Sequence, residues 1–545
     1  MDGGSAPPFD DASPLPSAPS AEELSRFALN DFGNAMRLIR LAGGEIDARG
    51  RVDVRSVRLL YLREHGWIGF DEDLGHWDLR GGEGLAQKLA HEVAKGLPAQ
   101  ADLWAAATRE RLEAQGEKVT AKTLAEFYDF AESCGNAGRT SAMLRQAQTY
   151  LQVDLDAFDR HPLWLNCRNG TLKFERIRDL AGGRYDCKVR FQRRHDPGDR
   201  LTRRLEVDYD PEAAAPMFET ALKQWQPAPA MRLYLQTLIG YCFSADTSEQ
   251  LFVIFQGKGR DGKSTFMVTL RKLGGSYAAT ADVKSFLDIG QRSGSDASPD
   301  IARLAGDTRL ISTAEPPKNA RLADDMIKKF TGGGAVTARH LKQGIFEFEP
   351  VGKVVMECNG RPQPQGGDEG IWRRLKLVLW ENQIAKGSED KELPAKLDAE
   401  RAGILNWVAL GVKRWICEGL TEPARVLEAL DDYRRGSSPF SEWCAEHLVL
   451  DKGSEAGASD LYKSYKAFVE ERDEKPMSQT SFGKALGELQ VLRGRDSVGR
   501  VVRKGARLKT EAEREADRAA QAEAGAGGSS SEPNFEADDS DGFDL

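Results

Sequence analysis

An unbroken apolar run, LFVIF at 251–255, empties into Gly257-Lys258-Gly259-Arg260-Asp261-Gly262-Lys263-Ser264, and the helical pattern STFMVTLRKL follows at once. A GxxxxGK[ST] spacing between a strand and a helix predicts a phosphate-binding loop in a parallel α/β core. Each residue type has a physical reason. Glycines let backbone N–H groups wrap a β-phosphate, Lys263 neutralises the β- and γ-oxygens, and Ser264 at the helix N-terminus is a ligand for Mg²⁺. With Thr265 next in the helix, residues 257–265 are the predicted ATP-binding set.

Composition leaves room for such a core. Hydrophobic residues make up 40% of 545, which is globular. No apolar stretch reaches the 18 or more residues of a membrane span, and the Pro-rich acidic N-terminus is not a secretory signal. Seven scattered Cys with no CxxC exclude a cysteine-rich zinc ribbon and suit a reducing, cytoplasmic setting. The net charge of −9 is unevenly placed: residues 511–545 carry −9 and residues 1–31 carry −5, which leaves +5 between them. The acidic total therefore does not argue against a nucleic-acid partner for the body.

Periodicity divides the chain. Residues 1–35 predict a disordered acidic, Pro-rich arm, and 36–210 a mixed, mainly helical N-terminal domain in which SVRLLYLREHGW (56–67) has helical spacing. Two helices follow at 211–245. The α/β core spans 246–385, with further strands expected at RLIST, FEFEP, KVVMEC and LKLVLW. A helical lid occupies 386–436. Residues 437–509 carry two helices, the second capped by Ser478, and a basic hairpin, the outline of a winged helix. An acidic tail fills 510–545.

Hydrolysis needs more than the loop. Glu315 closes RLISTAE at a strand's carboxyl end, where an acid polarises water or joins Ser264 in holding metal. Asn359 ends KVVMECN, where an amide can orient water. Arg373 and Arg374 precede another strand, and either fits an arginine finger reaching a neighbour's γ-phosphate.

Lys263, Glu315, the segment IKKFTGGGAVTARHLKQGIFEFEP, Asn359 and Trp372-Arg373-Arg374 lie in the order and compact spacing of superfamily 3 helicases. The chain resembles the phage and plasmid primase-helicase branch of that group, with its poxvirus-like N-terminal region. The resemblance covers about 55–505. It implies an AAA+-type core and a homo-oligomer, a hexameric ring moving 3′ to 5′ on single-stranded DNA, that serves replication of a phage, prophage or plasmid in a bacterial cytoplasm. It departs from the pattern at Ala314-Glu315, where many relatives carry paired acids, and at Gly332-Gly333-Gly334, where Gly-Gly-Asp is usual. No primase domain is expected ahead of it, so a separate primase, a polymerase or a single-stranded DNA-binding protein becomes an expected partner.

The resemblance places a central DNA-contacting hairpin at 336–342, with Arg339, His340 and Lys342, and matches Lys328 to a family lysine. Residues 490–509 carry +6, including Arg493, Arg495, Arg500, Arg503 and Lys504, and predict DNA-backbone contact. The expected activity is ATP-dependent unwinding of forked DNA. Its rivals are an origin-binding initiator that melts DNA without processive unwinding, and a small-molecule P-loop kinase.

Overall fold

The computed structural model describes residues 9–10, 18–118, 120–178, 185–288, 299–317, 320–339, 345–364, 369–437, 439–471 and 476–516. His340, Lys342, residues 1–8 and 11–17 of the N-terminal arm and the tail beyond 516 lie outside them.

The N-terminal region buries a core of its own, from Ala35 to Phe158. Helix α1 (Asp31–Leu41) packs on α2 (Gly82–Ala114) and α4 (Ala137–Leu151), and α2 packs in turn on α3 (Ala121–Ser133). The helical spacing of 56–67 is misleading. That stretch forms antiparallel strands β1 (Leu59–Leu62) and β2 (Gly66–Asp71), turning at Gly66 with φ +82°. Only glycine takes that conformation without strain. A third strand, β3 (His76–Asp78), pairs with β2. A second antiparallel sheet, β4 (Trp164–Cys167), β5 (Gly170–Arg178) and β6 (Tyr185–Gln192), packs with α5 (Pro216–Trp225) and α6 (Pro229–Cys242).

The central sheet is parallel throughout. Its strands are β7 (Phe252–Gly257), β8 (Ala278–Ala281), β9 (Leu310–Thr313), β12 (Lys353–Cys358) and β13 (Leu375–Trp380), ordered β8-β9-β12-β7-β13. Such a sheet must be covered on both faces. Val253, Phe255 and Val355 join the core shared with α5, α6, α7 (Lys263–Gly274) and the later helix α10 (Arg401–Glu418). Phe252, Ile254, Val354 and Met356 join the opposite core with α8 (Asp324–Thr331) and α11 (Ala424–Gly436). The strand at FEFEP is not in this sheet. It is β11 (Ile345–Phe348), paired antiparallel with β10 (Val336–Arg339) as a separate hairpin.

Helices α6 and α10 cross with backbones in contact. A Cβ on Gly240 would lie 2.2 Å from the Gly411 carbonyl carbon, and one on Gly411 would lie 2.0 Å from the Gln236 carbonyl oxygen. Between β13 and α10 runs α9 (Leu393–Ala399). The chain ends in a fourth core built from α12 (Pro439–His447), β14 (Leu448–Gly457), α13 (Ala458–Glu470), α14 (Gln479–Glu488), β15 (Leu492–Arg495) and β16 (Val501–Leu508). Ser478 caps α14, its hydroxyl accepting from the Ser481 N–H at 3.2 Å. The three strands form one antiparallel sheet, β14-β16-β15.

Candidate functional site

The loop between β7 and α7 is tight because its glycines have nowhere to put a side chain. A Cβ on Gly257 would sit 1.9 Å from Asp261 Oδ2 and 2.6 Å from Lys263 Nζ; one on Gly262 (φ +85°) would strike the Trp225 indole at 2.2 Å. Lys263 is buried, and its ammonium donates to Asp261 Oδ2 at 2.6 Å, an oxygen that also accepts from the Gly259 N–H at 3.1 Å. The loop's outer side is strapped by the segment after β13. The Ile384 N–H donates to the Arg260 carbonyl at 2.7 Å, the Gln383 amide donates to the Gly259 carbonyl at 3.0 Å, and Arg260 pairs with Glu389.

Glu315 and Asn359 meet as their positions at strand ends require. The Asn359 backbone and side-chain N–H groups donate to the two Glu315 carboxylate oxygens at 3.1 and 2.9 Å. Ser264 has a different partner. Its hydroxyl donates at 2.8 Å to Glu357, which in the sequence is merely an interior position of KVVMEC. Burial pushes the Glu357 carboxyl above its ordinary range, against the Ser264 hydrogen bond and the nearby Arg271 and Lys263 charges. Arg361 likewise carries no signal in the sequence. Just past Asn359, its Nε donates at 2.7 Å to Gln256, at the base of the loop.

The paired arginines separate. Arg374 is buried: Nε donates to Thr331 Oγ1 at 3.1 Å, Nη1 to the Gly370 carbonyl at 2.6 Å and Nη2 to Gln250 Oε1 at 3.3 Å. A guanidinium held from three sides is turned into its own fold, whereas a finger has to reach outward. Arg373 is exposed. Lys328 on α8 and Arg339 at the end of β10 are half-buried, with Arg339 paired to Ile345. On the terminal hairpin, Arg493, Arg495, Arg500 and Lys504 are exposed, and Arg493 lies directly opposite Arg503. Like charges so placed repel, and the Arg503 pKa is lowered by burial and by Arg493.

The family model described as D5 N terminal like matches residues 53–227. This stretch is thus similar to a D5 N-terminal-like domain. The chain is also 29% identical over 279 residues to a putative helicase of Acanthamoeba polyphaga mimivirus, covering 48% of this chain and 29% of that protein. A putative helicase of Frog virus 3 is 23% identical over 276 residues, covering 47% and 28%. The matched stretch thus spans less than a third of either relative. Among solved structures, the apo C-terminal region of NrS-1 superposes with a TM-score of 0.34 at 12% identity, over 64% of this chain and 99% of that one.

The D5 N-terminal-like domain ends two residues past Trp225, so it supplies the ring that backs Gly262. It holds the far end of α7 as well: the Glu206 N–H donates to the Leu273 carbonyl at 3.1 Å, and the Arg204 N–H to Ser276 Oγ at 2.7 Å. Beneath the sheet, fully buried Arg309 pairs with Asp307 at 2.7 Å and donates to the Trp164 carbonyl of the D5 N-terminal-like domain, also at 2.7 Å. Lys353, at the start of β12, is buried too; it donates to the Ser244 carbonyl at 2.6 Å, and burial lowers its pKa to about 7.

Proposed function

We propose that this chain is an ATP-dependent, ring-forming DNA helicase used in replication of a mobile element, moving 3′ to 5′ on single-stranded DNA as the superfamily 3 resemblance implies. The carrying observation is one end of one parallel sheet. There the loop at 257–264 stands beside Glu315, joined to Asn359, in a chain whose relatives are viral putative helicases. The strand order supports the AAA+-type assignment, since β12, bearing Asn359, separates the loop strand from the strand leading to Glu315.

The residues fit a nucleotide with Mg²⁺. Gly257 and Gly262 form a cradle that any Cβ would fill, and Ser264 with a neighbouring carboxylate supplies the hard oxygen donors that Mg²⁺ prefers. The bound metal would neutralise phosphate charge. Lys263 exchanges Asp261 for the β- and γ-oxygens. Glu315, held by Asn359, takes the proton of the attacking water. The exposed Arg373 is the finger for the next subunit's γ-phosphate. We read 439–508 as a winged helix whose hairpin grips the DNA backbone, with the β10–β11 hairpin as the translocating loop, and forked DNA as substrate.

Strand displacement on a forked duplex, measured beside DNA-stimulated ATP hydrolysis, tests this reading. Unwinding with stimulation is expected. Hydrolysis without unwinding would favour the origin-binding initiator, and hydrolysis indifferent to DNA would defeat both.

A further inference from the structure

Glu357 stands where the sequence leaves a gap. Paired β9 and β12 run Leu310↔Lys353, Ile311↔Val354, Ser312↔Val355 and Thr313↔Met356, so the next step of the register sets Ala314 level with Glu357. Paired residues of parallel strands share a face, and Glu357 shares its face with Val355, which packs in the core on the α7 side. Residue 314 is the first position of the acid pair, and here it is alanine. The carboxylate missing from β9 is present one strand over, about 4.8 Å away, on the side where Ser264 begins α7. The 2.8 Å hydrogen bond from Ser264 to Glu357 points the same way independently of the register. Glu315, one residue on, belongs to the alternate face and is engaged by Asn359.

We propose that Glu357 is the metal-side carboxylate of this chain, transferred across one strand spacing from position 314, which leaves Glu315 free to act on water. The two acids thus divide the work: Glu357 with Ser264 holds and orients the divalent cation, and Glu315 accepts the proton. This rests on the nucleotide-binding reading above.

The test uses the full-length protein and reads binding, not turnover. A fluorescent ATP analogue titrated in EDTA reports nucleotide affinity. Mn²⁺ titrated by electron paramagnetic resonance into protein saturated with non-hydrolysable ATP reports the metal. Glu357→Gln, which keeps shape and loses charge, should bind nucleotide in EDTA within threefold of wild type and weaken Mn²⁺ by about tenfold or more. Glu315→Gln should leave Mn²⁺ affinity within threefold. Adding Ala314→Asp to Glu357→Gln should recover Mn²⁺ affinity, which a merely structural role for Glu357 would not permit. Unchanged Mn²⁺ affinity in Glu357→Gln, or the loss appearing in Glu315→Gln instead, overturns the proposal. Wild-type protein that fails to bind the nucleotide analogue overturns the underlying reading, an outcome distinct from either.

Discussion

Lys263 and Asp261 are only 6% and 4% exposed, so their ion pair is shielded from the screening that makes surface pairs weak. Any phosphate must win the ammonium from Asp261. Asp261→Asn should therefore tighten nucleotide binding while lowering the melting temperature of the free protein, because breaking a buried pair costs roughly 3–5 kcal/mol. Thermal melts with and without Mg²⁺–ATP check both effects, and the ligand-induced shift should exceed that of wild type. The arginines part company on the same scale. Arg374→Ala removes three internal hydrogen bonds, should cost about 3 kcal/mol of stability, and should not be rescued in mixed assemblies. Arg373→Ala mixed with Lys263→Ala should regain hydrolysis, since a mixed ring of the kind proposed would contain junctions with both parts intact. No recovery at any ratio would remove Arg373 as a finger. The sequence shows Lys263, Glu315 and Asn359 because they sit at fixed offsets from strand ends. It hides Glu357, whose role depends on the register between two strands about 40 residues apart, and it cannot separate Arg373 from Arg374, since only packing decides which one turns inward.

Elements are legible where their signals are local. The strand–loop–helix at 252–274, the helix at 401–418 and the Ser478 cap all follow from short-range pattern. Ala278–Ala281 is a strand with a single strand-forming residue, Thr280, and it owes its place to its pairing with β9. Leu448–Gly457 is hidden for the opposite reason: its largely exposed face gives no apolar alternation. The β15–β16 hairpin is plain in the sequence, and its opposed Arg493 and Arg503 leave it short of anions. Replacing Arg493, Arg495 and Arg500 together with Ala should weaken binding across DNA sequences and flatten the dependence of log affinity on log salt, by about 0.9 for each duplex phosphate that is no longer neutralised. Affinity measured over a salt series for both proteins decides it. An unchanged slope would mean that the hairpin does not touch phosphate.

Across the whole molecule, the sheet joins two chemistries. Glu315 and Asn359 lie at its carboxyl ends, while Arg309 and Asp307 are sealed under its amino ends against the D5 N-terminal-like stretch and Lys353 against Ser244. Lys353 has a folded pKa of about 7, below its ordinary 10.5. The unfolded chain then binds more protons between those values, so stability gained from this group rises with pH from about 7 to 10.5 and is flat below 7. Unfolding free energies at about pH 7 and pH 9 should show a larger gain for wild type than for Lys353→Met. Equal gains would mean that this lysine is charged in the fold. No periodicity announces such a network, because buried charges are set by partners distant in sequence.

The crossing of α6 and α10 at Gly240 and Gly411 brings the chain into and out of the central sheet through one shared junction. The chain enters the central sheet just after α6 and returns from it through α9 to α10, so both ends of some 150 residues are tied at one bare backbone junction. Neither helix can shift along the other there without its backbone striking its neighbour's. A methyl group at either glycine would push the two helices apart and so loosen both ends of the sheet segment at once.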